Sequence, residues 1–532
     1  MRFSKERSIS DGTANSHGKS DCSMKSYQKP GSEFWSIAMM GVGVVFCLLI
    51  RLWSMRIGNP IPDEIFTHLT IQGNIREILQ ISILDVHPPL YYLLVKLWCG
   101  VFGNSLPAIR MFSLVFSILN ILLIANVLYR LLGAESRSAR TGIYVMGGLI
   151  LSNHPWIVSI SSVARMYSLG NFLALSSSAV LIYYFNKPRG RSQYCGLTLY
   201  GVLAGLLCLT HYVGAFVILA QASGIVCMLL FRRPLQIKTF VPYLLSLTSF
   251  IIVLAAWLPF AAQQVHDVHT GYWITEKGFD IYSVLLHNYF FSFPSFSIPM
   301  AVFGCLVFIA LLAMPFRNRA VNWYYGGLFV IPPLFLVGIS LWWRPLISRG
   351  TVRYFSFSLI FFGIVWGLII SRWRNLIAAG IAIVSIGFAQ IATNDRLRAA
   401  AGLDPTVEYQ LAGWVKQEVE PGSQVLLYES PPFFMCFSYF WNAPDQIGFP
   451  DHLFNLANCH GYSGHIVHIA CIPSDRIFRF PIDSTEFVGA YLVSSIAESQ
   501  AFIDQEILRL DRIKDLQLNG RTYFLFKVTA IP

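Results

Sequence analysis

The feature that most constrains this chain is a succession of apolar runs, most of them long enough to cross a membrane. An α-helix rises about 1.5 Å per residue, so about twenty apolar residues span a hydrocarbon layer of about 30 Å. Such runs occur at 34–53, 106–131, 142–161, 167–185, 195–210, 213–231, 240–262, 298–315, 321–343, 354–371 and 376–393. They predict an all-α polytopic membrane bundle of about eleven transmembrane helices. Composition agrees, because 55% of the residues are hydrophobic and 13% charged, whereas soluble domains carry about a quarter charged. The formal net charge of +11 would suit a nucleic-acid binder. The Lys and Arg residues, however, sit in short clusters between apolar runs and form no continuous face, so membrane lipids are expected as partners and nucleic acid is not.

Those clusters orient the chain, because short cytoplasmic loops retain basic residues. Lys25 and Lys29, Arg137 and Arg140, Lys187 with Arg189 and Arg191, Arg232 with Arg233, Arg317 with Arg319, and Arg372 with Arg374 fall on one side when eleven spans alternate. Residues 1–33 then form a cytoplasmic tail, polar and expected to be disordered, and residues 34–393 form the membrane domain. The first run is too long and too poorly terminated for a cleaved signal peptide, so it reads as a retained span. The scheme makes 54–105 an external loop, in which the apolar stretch 90–102 lies along the interface or re-enters it. Arg165, Arg344, Arg349 and Arg353 fall on the outer side, where orientation signals do not put them. Cations at the outer rim of a bundle suit an anionic ligand such as a lipid phosphate, or else they snorkel from span ends.

After Thr393 charges return, and the pattern predicts a small α/β domain outside the membrane, 394–532. Helices are expected over 406–418 and 498–510, and strands over 424–429, 465–470, 487–493 and 522–528. Cys436, Cys459 and Cys471 offer one disulfide in an oxidising compartment. His460, His465 and His468 match no standard zinc spacing, so no metal is expected there.

The chemistry concentrates in the external loop. Pro62-Asp63-Glu64 opens a stretch with Ile65, Phe66, Leu69, Ile75, Ile78 and Leu79 at helical intervals, which predicts an amphipathic helix on the membrane surface with two acids at its N-terminus. An Asp-Glu pair there can equally be a plain helix cap. Some twenty residues on comes Leu84-Asp85-Val86-His87-Pro88-Pro89-Leu90-Tyr91-Tyr92, where prolines stiffen the backbone beside an acid and an imidazole.

These two elements in one external loop resemble the protein O-mannosyltransferases, whose first luminal loop carries an Asp-Glu pair and then Asp-Val-His-Pro-Pro-Leu. More broadly the chain resembles the bacterial polytopic GT-C glycosyltransferases, including the aminoarabinose transferases of lipid A and the RgtA/B/C/D-like enzymes. The likeness covers about 34–231, with Ala108-Ile109-Arg110 and Ala164-Arg165-Met166-Tyr167-Ser168 as further matching fragments, and extends weakly to Arg353-Tyr354. Tyr91-Tyr92 stand where the O-mannosyltransferases have Gly-Lys, and no β-trefoil insertion is evident, so the bacterial branch is the nearer.

The resemblance implies a GT-C-like bundle that transfers a sugar, with inversion, from a polyprenyl-phosphate donor to a hydroxyl of an envelope lipid, glycan or protein acceptor on the external face. It assigns Asp63 as general base and Glu64 to orient the acceptor or Asp63. Arg353, then Arg349 and His87, would meet the leaving phosphate, with Asp85, Tyr354, Arg165 and His211 lining the site. With one donor phosphate, no metal and no cofactor are required. A bacterial plasma membrane is the expected location. A polytopic transporter or flippase would show inverted repeats and broken mid-membrane segments, and an O-antigen ligase or polymerase would carry its Arg and His in a large late loop. Sugar and acceptor are not specified.

Overall fold

The computed structural model describes residues 32–55, 60–133, 139–185, 190–230, 241–271, 319–343, 345–347, 353–372, 407–428, 431–441, 447–450, 477–478, 490–495, 509–518 and 521–530, with Tyr282, Leu285, Leu286, Tyr289, Gly380 and Ile383. The membrane part consists of α1 (Ser32–Trp53), α2 (Pro62–Thr70), α3 (Ile75–Leu84), α4 (Leu90–Phe102), α5 (Leu106–Gly133), α6 (Ala139–Leu151), α7 (Pro155–Ser159), α8 (Tyr167–Phe185), α9 (Arg191–Thr210), α10 (Gly214–Leu230), α11 (Val241–Leu254), α12 (Leu258–Gly271), α13 (Arg319–Trp342), α14 (Ser356–Leu359) and α15 (Phe362–Ile370).

Among the described residues five helices are long and apolar enough to cross a membrane, and seven if each of two bent pairs counts as one span. α11 and α12 are bent by 72°, and the 353–359 and 362–370 segments by 41°. α6 and α10 are apolar but shorter, and the expected spans 298–315 and, but for two residues, 376–393 lie outside the described residues. The outward side chains of α1, Val42, Val45, Leu49 and Leu52, are all more than half exposed, as suits a helix whose solvent is lipid. These are the helices and the fold of an integral membrane protein.

Polar contacts and small residues hold the spans together, since lipid gives no hydrophobic drive for helix association. Arg51, 2% exposed, donates to Ser117 Oγ at 3.0 Å and to Asn153 Oδ1 at 3.0 Å, tying α1 to α5 and to the end of α6. Gln221 of α10 donates to Ser177 Oγ (2.9 Å) and Ser178 Oγ (2.8 Å) of α8. Gly148 of α6 lies so close to α15 that a Cβ there would stand 2.8 Å from the Gly363 carbonyl oxygen.

The loop expected to carry one amphipathic helix carries two. The first ends at Thr70, and Asn74 caps the second, its Oδ1 accepting from Arg76 N (2.9 Å) and Glu77 N (3.1 Å) while Glu77 returns to Asn74 N at 2.8 Å. This reciprocal box is a strong helix start, and it breaks a run that periodicity alone reads as continuous. α4 has 13 residues and is about 20 Å long, too short to cross.

The C-terminal part comprises α16 (Val407–Glu418), β1 (Val425–Tyr428), α17 (Pro431–Trp441), β2 (Ile447–Pro450), β3 (Ile477–Phe478), β4 (Tyr491–Ser495), β5 (Arg509–Leu518) and β6 (Arg521–Ala530). The strands form one sheet in the order β3-β2-β1-β4-β6-β5. β3, β2, β1 and β4 run parallel, β6 is antiparallel to β4, and β5 to β6. The helix expected over 498–510 is not continued at its end, because Arg509 and Leu510 already belong to β5; residues 498–508 lie outside the described residues, as do Cys459, Cys471 and the three histidines. Cys436, 1% exposed, is packed into the core of the membrane bundle.

Candidate active site

α2 starts with Pro62 at a position whose missing N–H costs nothing, and Asp63 and Glu64 follow in its first turn. The two acids point to different surroundings. Glu64 is fully buried. Its Oε1 accepts from Arg110 Nε (2.9 Å) and Ala164 N (2.9 Å), and its Oε2 from Arg110 Nη2 (2.7 Å) and Ile61 N (3.2 Å). Four donors on one carboxylate leave it no capacity for a substrate. Glu64 therefore fastens α2 to α5 and to the segment before α8, and so fixes where Asp63 stands.

Asp63 keeps about a quarter of its side chain exposed and pairs with Arg353 Nη1 at 2.5 Å. Burial opposes ionisation of this carboxyl, but Arg165, Arg353 and His87 outweigh it and hold it below the ordinary carboxylate value. A neighbouring cation, Arg165, is 2% exposed. It donates to Tyr92 Oη at 3.2 Å and to the Asp63 carbonyl at 3.4 Å, and its Nη2 approaches His87 Nε2 at 3.5 Å.

The second sequence element meets this one. His87 Nδ1 contacts Asp85 Oδ2 at 3.0 Å, so the acid orients the ring and Nε2 faces Arg165. The loop itself is held by Gln264 of α12, whose amide nitrogen donates to the carbonyls of Ser82 (2.6 Å), Ile83 (3.2 Å) and Asp85. Tyr212 donates to Gln264 Oε1, and Trp257 Nε1 donates to Tyr212 Oη at 2.8 Å. A chain of polar contacts thus runs from the bend between α11 and α12 to the Asp85–His87 loop.

His211, at the end of α9, completes the cluster. Its ring centre lies 5.3 Å from His87, 5.1 Å from Tyr354 and 6.0 Å from Tyr167. Nδ1 accepts from Val213 N at 3.2 Å, and Nε2 is buried without a hydrogen-bond partner among the described residues. Burial, then His87, Arg165 and Arg353, push its pKa well below the ordinary imidazole value, so it is neutral and Nε2 carries the proton.

His87, His211, Tyr212, Gln264 and Tyr354 are the polar lining of a cavity of about 720 Å³, whose other walls are apolar, among them Val213 just before α10, Phe216 of α10, Leu336, Ile339 and Trp342 of α13, and Leu346. An apolar hollow ending in a few convergent polar groups is the usual form of a ligand site. Among the described residues no group of three His, Cys, Asp or Glu side chains is arranged to hold a metal ion.

Asp63, Asp85, His87, Arg165, His211, Arg353 and Tyr354 thus converge, although they are spread from residue 63 to residue 354. Arg349 lies outside the described residues. Arg110, Tyr92, Tyr167 and Gln264 belong to the site or its frame without having been singled out for it. Arg110 and Tyr167 did lie in fragments that matched the family pattern; nothing local in the sequence marks Gln264.

The fold is similar to that of solved structures of ArnT. Crystal structures of ArnT from Cupriavidus metallidurans match 92% of this chain over 98% of their own length, with a TM-score of 0.60 and 11% identity for the apo state. The same protein bound to undecaprenyl phosphate gives a TM-score of 0.56 at 11% identity over the same shares of both chains. No protein-family model matches the chain, and no curated protein matches it in sequence.

Proposed function

We propose that the chain is an inverting membrane glycosyltransferase that moves a sugar from a polyprenyl phosphate to a hydroxyl acceptor at the external face of a bacterial plasma membrane. The observation that carries this reading is the Asp63 carboxylate, part exposed and paired with Arg353, next to an apolar cavity that ends in His87, His211 and Tyr354. The undecaprenyl phosphate bound by ArnT is a ligand of the chemistry that such a cavity fits: a long apolar chain ending in one phosphate. In this reading eleven spans place residues 1–33 in the cytoplasm and 394–532 outside, the latter bordering the acceptor's approach.

An alcohol is too weak an acid to attack unaided. Asp63 takes its proton as the hydroxyl oxygen bonds to the anomeric carbon, while the bond from that carbon to the phosphate oxygen breaks and its electron pair leaves with the phosphate. Attack opposite the leaving group inverts the centre. In the resting site Arg353 holds Asp63 ionised and weakly basic. Once the donor phosphate arrives, Arg353 has a second anion to serve, and its shift toward that anion raises the basicity of Asp63 where a base is needed. Arg165, together with the Nε2–H of His211, faces the developing charge from fixed positions, so little reorganisation accompanies the reaction. Glu64 is a positioning residue.

The test is sugar transfer from a polyprenyl-phosphate donor by purified protein carrying Asp63→Asn. Loss of turnover with donor binding retained is expected; turnover within tenfold of the unsubstituted chain would remove Asp63 from the base role. Arg353→Ala should weaken donor binding, and an unchanged Kd would move the phosphate elsewhere.

A further inference from the structure

At the opposite end of the bundle lies a second cavity, of about 890 Å³, between α5, α8 and α13. Arg110, which anchors Glu64, and Arg130, at the rim of this cavity, are both on α5. Their separation in sequence corresponds to about 30 Å along the helix, the thickness of the hydrocarbon layer. The cavity therefore sits at the level of the other leaflet, remote from the Asp63 site.

Its walls are apolar, from Leu123 and Val127 of α5, Ala179 and Val180 of α8, and Val321 and Tyr325 of α13. Its rim is polar. Arg130 Nε donates to Asn126 Oδ1 at 2.8 Å, and the guanidinium carbon lies 5.9 Å from the centre of the Tyr183 ring. Asn126 and the ring of Tyr183 thus fix the plane of the guanidinium, while Arg130 itself is exposed. Among the described residues Arg130 makes no ion pair with a carboxylate.

We propose that this cavity binds one anionic glycerophospholipid of the leaflet opposite the catalytic loop, an acyl chain filling the hollow and the phosphate meeting the Nη groups of Arg130. Within a membrane, apolar space of this size is filled by what the bilayer supplies. The planar fork of an Arg whose Nε is already engaged presents its remaining donors to phosphate in a fitting geometry. Tyr183 stands two residues from the end of α8, the part of a span that meets the headgroups, where amphipathic rings are enriched. With no carboxylate paired to it among the described residues, Arg130 favours a headgroup of net negative charge over a zwitterionic one. This site depends on nothing assumed about sugar transfer.

The experiment is native mass spectrometry of the full chain released from micelles containing equal phosphatidylglycerol and phosphatidylcholine. One phosphatidylglycerol retained per chain in preference to phosphatidylcholine is expected. Arg130→Ala should lower that retention about tenfold, as the loss of a charge-assisted contact implies. Ala179→Phe, which fills the hollow and keeps the cation, should lower it as well. Equal retention of the two lipids, or retention unchanged in both variants, overturns the proposal. So does full displacement by inorganic phosphate, because the hollow would then contribute nothing.

Discussion

Glu64 and Arg110 form a two-pronged ion pair from which solvent is excluded, at 2.9 and 2.7 Å, one residue away from an acid that stays open to the site. Breaking a buried pair from one side strands the other charge, at a cost of about 3–5 kcal/mol. Glu64→Gln is therefore expected to lower the thermal unfolding midpoint in detergent far more than Asp63→Asn does. Equal midpoints for the two variants would contradict the different jobs given to these neighbours.

Arg353 is one of the cations that hold the Asp63 pKa down. Removing it lets burial act with less opposition, so the Asp63 pKa rises and the acid limb of kcat/KM moves to higher pH in Arg353→Ala. A pH profile of the residual activity checks the direction. A limb that stays in place would mean that Asp63 is not the group being titrated.

His211 titrates in the same direction for a different reason. Its folded pKa lies below the ordinary value of 6.5, so below about that pH the unfolded chain takes up a proton that the folded chain refuses. Stability is then intact above pH 6.5 and falls as the pH drops through it. His211→Gln should flatten this part of the profile, read as the difference in unfolding midpoint between pH 7.5 and pH 5.

Gln264 holds three carbonyls of the segment that ends in Asp85. Gln264→Leu keeps similar volume and removes the donors, leaving buried carbonyls unmet at about 1–3 kcal/mol for each orphaned group. The expected readout is a loss in kcat/KM with little change in the acid limb set by Asp63. A kcat/KM within twofold of the unsubstituted chain would show that the loop needs no such support.

Part of the site was legible because two of its elements are local in sequence. Asp63 with Glu64 opens a helix, and Asp85 with His87 sits beside prolines, so residue type and spacing suffice. The bundle was legible for a similar reason, since length and apolar content define a span, although bends such as the one between α11 and α12 depend on packing and leave no periodic trace. The resemblance implied different jobs for Asp63 and Glu64 but left open whether Glu64 orients the acceptor or Asp63; its burial against Arg110 depends on packing and has no local mark in the sequence. Gln264 is an amide among apolar residues, and only the third dimension brings it to the end of α3. β5, expected to begin as the end of a helix, carries alternating charges, Arg509, Asp511, Arg512, Lys514 and Asp515, and is a strand through its pairing with β6.

α17 belongs to two interiors at once. Cys436, Tyr439 and Phe440 pack with the membrane bundle, and Tyr439 meets His68 of α2 edge to face at 5.6 Å. Phe437 and Trp441, on the alternate face, pack with the sheet. The C-terminal part is thus distinct in the sequence but shares α17 with the bundle. A truncation before α17 would leave the bundle with an open apolar hollow against the very helix that carries Asp63, and the excised piece with a sticky flank. Melting of the C-terminal sheet and loosening of that helix should register as one transition.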